Sequence, residues 1–174
     1  MIDNKLLSLQ KLAVHEAGQV VAALYYGKEV YEVGVTPDQL TSAYTFCSEL
    51  CKTGNIKSTQ STTKNIWPFL VEETFIQAKI LYAGVFTESH LLTDPAPNVK
   101  EWKDILHILE AFIELEETKQ CLSNHEQMDD TYKDYLLNFI TQDVSNLFSQ
   151  KKYLTITYKI ANKLIKKSKL SGDE

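Results

Sequence analysis

The stretch AVHEAGQVVAALYYG, residues 13–27, sets three polar side chains, His15, Glu16 and Gln19, among small and apolar ones. Read as helix, it places His15 and Gln19 at i and i+4, on one face and one turn apart. Two histidines at that spacing grip a zinc ion from one side, with Zn–N distances of about 2.0–2.1 Å. A glutamate directly after the first histidine then lies beside the metal-bound water and can take its proton. Here the i+4 position holds an amide. The reading of the chain turns on whether H-E-x-x-Q keeps a metal.

The surrounding helix is predicted from about Asn4 to Tyr26, capped by Asp3 or Asn4 and ended by Gly27. Beyond it, Val30, Val33 and Val35, then Ala43, Tyr44 and Phe46, mark two short β-like pieces around a T-P-D turn. They form a hairpin or two strands of a small sheet. A Thr/Ser-rich patch, KSTQSTTKN (57–65), leads into a helix from about Ile66 to Thr87, with Pro68 expected in its first turn. LTDPAPN (92–98) is a loop. A helix from about Val99 to Thr118 buries Ile105, Leu109 and Phe112 or Ile113. Another, about Asp130 to Phe148, repeats Tyr132, Tyr135, Leu136, Phe139, Ile140, Val144, Leu147 and Phe148 at helical spacing, as core. The last covers roughly Thr155 to Lys167. The fold class expected is mainly α (α+β), one domain over residues 1–174, with a small β element near its N-terminal third.

Composition narrows the function classes. A chain of 174 residues with 44% hydrophobic and 24% charged content can enclose a core. Its net charge of −5 argues against nucleic acid or an anionic membrane as partner. Seven lysines between Lys151 and Lys169 alternate with Ile156, Ile160, Leu164 and Ile165, the pattern of a wet helix face. Cys47, Cys51 and Cys121 lack disulfide or zinc spacing and suit a reducing compartment. MIDNKLLSLQK shows no signal-peptide pattern, and no segment reaches the roughly 20 apolar residues of a membrane span. The expectation is a cytoplasmic protein without membrane insertion.

HEAGQVVAALYYG resembles the HEAGHAVVA signature of the FtsH-type metallopeptidase family, the proteolytic part of ATP-dependent zinc proteases. ILYAGVFTES (80–89) looks like that family's LAGRAAEE helix, with Val85 in place of its arginine. VKEWKDILHILEAF (99–112) is similar to the helix opening N-D-L-x-x-A-T, and IANKLIKKSKLSGDE to the family's closing segment. The likeness spans nearly the whole chain. It implies an FtsH-peptidase-like helical domain standing alone, since no G-x-x-x-x-G-K-[ST] loop supplies an ATP site.

Residue by residue, the resemblance makes His15 the first zinc ligand, Glu16 the catalytic base and Gly18 a close-packing position. Gln19 stands where the second zinc histidine belongs. Glu101 before Trp102 matches the third ligand, one methylene longer than the family's aspartate, and Asp104 is the alternative. His90 and His107 read as surface or helix residues. An amide is a poor zinc donor, and equal sharing of a structural site's free energy assigns about 3–4 kcal/mol to one ligand, or about 10²–10³ in affinity. Zinc is therefore expected to be weak or absent. Without it, the Gln19 amide is expected within hydrogen-bond reach of His15, Glu16 or Glu101.

Three functional readings follow. The first is a degenerate pseudo-peptidase acting as a peptide- or protein-binding scaffold, with homo-oligomer formation as the family's ring assembly implies. The second is an active zinc-dependent metalloendopeptidase with an unusual ligand set. The third is a helical interaction domain whose likeness is only ancestral.

Overall fold

The computed structural model describes residues 4–36, 43–48, 63–92, 99–115, 118 and 130–174. The T-P-D turn beyond Thr36, Cys51, Cys121, residues 57–62 of the Thr/Ser patch and the L-T-D-P-A-P-N loop beyond Leu92 lie outside these. The described chain runs α1 (Asn4–Tyr25), β1 (Val30–Val35), β2 (Ala43–Cys47), α2 (Thr63–Leu91), α3 (Val99–Ile113), α4 (Asp130–Ser149), α5 (Lys151–Lys167) and β3 (Lys169–Ser171). It is mainly helical with one small antiparallel sheet, as the sequence pattern requires.

Helix α1 is the axis of the domain. Every residue from Ala13 to Ala23 is buried, so the helix is enclosed on all sides rather than laid on a surface. Its Val21, Ala22 and Ala23 pack with Ile76, Ile80, Ala83 and Phe86 of α2 and with Val144, Leu147 and Phe148 of α4. Its Ala13, Val14, Ala17 and Val20 meet Val33 and Val35 of β1, Ala161 and Leu164 of α5, and Leu170 of β3. A third cluster joins Ala78 to Ile105 and Leu109 of α3 and to Leu136 and Ile140 of α4. α1 ends where Gly27 takes φ of 81°, a conformation open to glycine without side-chain strain.

The sheet order is β2-β1-β3, antiparallel throughout. β1 pairs Val33 with Thr45 on one side and with Leu170 on the other, and an irregularity between Val30 and Glu32 interrupts the first ladder. The third strand is absent from the sequence reading. It forms because α5 stops at Ser168, in the left-handed region at φ of 63°, which turns the chain back along β1. The Val35 N–H then donates to the Ser168 carbonyl at 2.8 Å.

Other expectations need correction. α2 starts at Thr63, so Pro68 sits in the second turn and removes the N–H that would reach the Lys64 carbonyl. α3 ends at Ile113 rather than near Thr118, and α5 begins at Lys151 rather than near Thr155. Tyr135 and Phe139 are exposed despite their helical spacing with Leu136 and Ile140. Phe139 stacks edge-on against Phe75, and the Lys79 ammonium lies 4.7 Å from its ring centre, so its apolar surface is only partly withdrawn from water. The seven lysines of the terminal segment are all exposed, as expected. No helix among the described residues is long and apolar enough to cross a membrane.

One ion pair lies inside this frame. The Lys28 side chain is fully buried and its ammonium donates to Glu73, which also accepts from Gln77 Nε2 at 2.9 Å. Cys47 lies beside this pair, and burial, with Glu73 adding to it against the opposing pull of Lys28, pushes its thiol above the ordinary range. Removing one member of a buried pair costs about 3–5 kcal/mol, whereas replacing both by apolar side chains is close to neutral. Glu73→Ala is therefore expected to lower the urea midpoint sharply. Lys28→Met/Glu73→Leu should return it to near the parent value.

Candidate functional site

The three polar residues of the opening stretch are buried together on α1: His15 is 3% exposed, Glu16 5% and Gln19 8%. Buried polar groups without partners are costly, so each must be satisfied within the fold. His15 turns toward α2. Its Nδ1 donates to Glu88 Oε1 at 2.5 Å, and its Nε2 accepts from the Gln19 amide nitrogen at 2.8 Å. An ionised carboxylate only accepts, which places the ring proton on Nδ1 and leaves the Nε2 lone pair to the amide. Glu88 is itself buried at 6% and is approached by Lys11 Nζ at 3.4 Å from its second oxygen.

Glu16, the neighbouring residue, turns instead toward the sheet. Its carboxylate accepts from the Thr45 hydroxyl of β2 at 2.6 Å. Strand periodicity explains why Thr45 faces inward: it stands opposite Val33, a buried residue of β1. The site is thus assembled from α1, α2 and β2, with the histidine fixed by a helix and the glutamate by a strand.

Two glycines allow α1 and α2 this close an approach. A Cβ at Gly84 would lie 2.4 Å from His15 Cε1 and Nε2, so the imidazole rests in the space that a side chain would fill. A Cβ at Gly18 would lie 2.1 Å from Thr87 Oγ1 and 2.7 Å from the Ala83 carbonyl. The Thr87 hydroxyl donates to the Ala83 carbonyl at 2.9 Å, which keeps that buried group satisfied at the crossing. The expected close-packing role of Gly18 matches this geometry.

Of the residues singled out from sequence, the structure brings His15, Glu16 and Gln19 together. Asp104 is exposed on α3, and Glu101 lies on the first turn of that helix, its side chain outside what is described. α3 packs on α2 and α4 through Ile105 and Leu109, with Trp102 tilted against Tyr82 at 5.4 Å between ring centres. His90 is exposed and stacked on Phe86, and His107 is exposed. Among the described residues, no group of three or more His, Cys, Asp or Glu side chains is arranged to hold a metal ion.

Sequence reasoning missed Glu88, Thr45 and Lys11. Glu88 was within reach of it, because Gly84 and Glu88 are four apart in ILYAGVFTES and share a face of α2. Thr45 depended on knowing which face of β2 points inward, which a five-residue strand does not reveal.

Gly84→Ala should destabilise the fold by about 1–3 kcal/mol, the usual cost of overpacking. His15→Ala vacates the colliding atoms, so the double variant should lose less than the sum of the two single changes in denaturant titrations. Additive losses would show that Gly84 does not cradle the imidazole. Gly18→Ala meets the backbone oxygen of Ala83, and shortening Thr87 to serine should not rescue it.

No family model matches the chain, and no curated protein matches it.

Proposed function

We propose that the chain is a degenerate, metal-poor relative of FtsH-type zinc peptidases that serves as a peptide- or protein-binding scaffold in the cytoplasm. The observation that carries this reading is the 2.8 Å contact between Gln19 Nε2 and His15 Nε2. The lone pair that a zinc ion would need is engaged by an amide N–H. A cation at His15 would have to break that bond and would gain only a neutral amide oxygen in exchange for the second imidazole.

Support for the binding half comes from the sheet. Tyr31 and Phe46 are 49% and 61% exposed and lie 5.4 Å apart between ring centres. Exposed aromatic pairs supply large contact area at low entropic cost, as binding surfaces require. Phe46 projects from the face of β2 opposite to Thr45, so a peptide held there would lie on the outer face of the sheet, with the strand between it and Glu16.

A working metalloendopeptidase is the second reading, favoured by the contact between His15 Nδ1 and Glu88. Zinc-bound histidines regularly donate their other ring N–H to a carboxylate, which fixes the tautomer and raises ligand basicity. The same contact also satisfies a buried imidazole with no metal, so it does not outweigh the Gln19 bond.

Metal analysis of the purified protein separates the two. Zinc well below one ion per chain is expected, with no casein cleavage when zinc is added. Gln19→His should raise zinc affinity by about 10²–10³, the share of one strong ligand. One zinc per parent chain, with cleavage abolished by Glu16→Gln, would overturn the scaffold reading.

A further inference from the structure

A second feature lies on the far side of α1. Leu24 follows His15 by nine residues, about 180° round the helix at ~100° per residue, so it points away from the imidazole. There α1, α5, β1 and β3 enclose a cavity of about 330 Å³, within the usual range of small-molecule sites. Val20, Val33 and Leu170 form its buried floor. Leu24 and Ile156, 54% and 42% exposed, stand at its mouth as apolar surface left in contact with water.

Its charge lies on one wall. Lys159 and Lys163 sit one turn apart on α5 and both line the cavity. Glu174 also lines it, but its carboxylate is bound by Lys167 and by the Ser171 N–H at 3.2 Å. Lys163 Nζ donates to the Glu174 main-chain oxygen at 2.8 Å, so an oxygen acceptor already sits at this rim. Lys159 has no partner among the described residues. An apolar floor beneath two cations fits a ligand with an apolar tail and one anionic head.

We propose that this cavity binds a medium-chain carboxylate, with its acyl chain over Val20, Val33 and Leu170 and its carboxylate at Lys159 and Lys163. The site is separate from His15 and Glu16 and does not rest on the peptidase reading.

Octanoate titrated into the 174-residue chain by calorimetry tests this, with octan-1-ol as the uncharged control. One octanoate per chain is expected, with Kd of about 0.1–1 mM for a ligand of this size. Octan-1-ol should bind at least about threefold more weakly, and Lys159→Gln should weaken octanoate by about threefold, the scale of one exposed charge contact. Ile156→Glu changes an exposed residue at the mouth and should abolish binding while the circular dichroism spectrum stays that of the parent. Absence of octanoate binding, equal affinity for the alcohol, or full binding by the Ile156→Glu variant would each overturn the proposal.

Discussion

A buried imidazole must find a partner for each of its nitrogens, and the arrangement of α1 and α2 follows from how His15 does so. The ring has a donor and an acceptor side, and neither can reach water at this depth. Glu88 takes the donor and Gln19 supplies the acceptor with a proton. For Glu88 to reach Nδ1, the face of α2 carrying it must lie almost against α1. That requires glycine at residue 84, under the ring, and at residue 18, against Thr87. Helix spacing, glycine placement and imidazole tautomer are therefore one linked arrangement.

The same arrangement bears on chemistry. A histidine at residue 19 would present a second lone pair toward whatever stands beside His15, whereas the glutamine amide presents a hydrogen. One substitution thus exchanges a group that shares a cation for one that caps an imidazole. Glu16 is held apart from this exchange by Thr45, on another element, so its orientation does not depend on which residue occupies position 19. A glutamine at this position is compatible with a well-packed interior.

Much of this was legible from sequence because helical periodicity is strong and local. Ile105, Leu109 and Phe112 recur at the spacing of one face, and they are buried together. His15 and Gln19 were readable as neighbours for the same reason. Periodicity failed where neighbouring elements decide burial: α2 and α3 bury Leu136 and Ile140 of α4 but leave Tyr135 and Phe139 largely in water, although Phe139 touches Phe75 and Lys79 of α2. It also gave no sign of β3, whose three residues are strand only because β1 offers a free edge beside the end of α5. Thr45 and Lys11 were invisible for a related reason: their partners are distant in sequence, and nothing in their own neighbourhood marks them as polar contacts of a buried site.

The most direct test of this account is the ¹⁵N NMR spectrum of the His15 imidazole, recorded before and after one equivalent of zinc. A protonated Nδ1 and an unprotonated, hydrogen-bonded Nε2 are expected, with both resonances unmoved by the metal. A shift of the Nε2 resonance that saturates at one zinc per chain would contradict it, because the lone pair would then belong to the cation and not to Gln19.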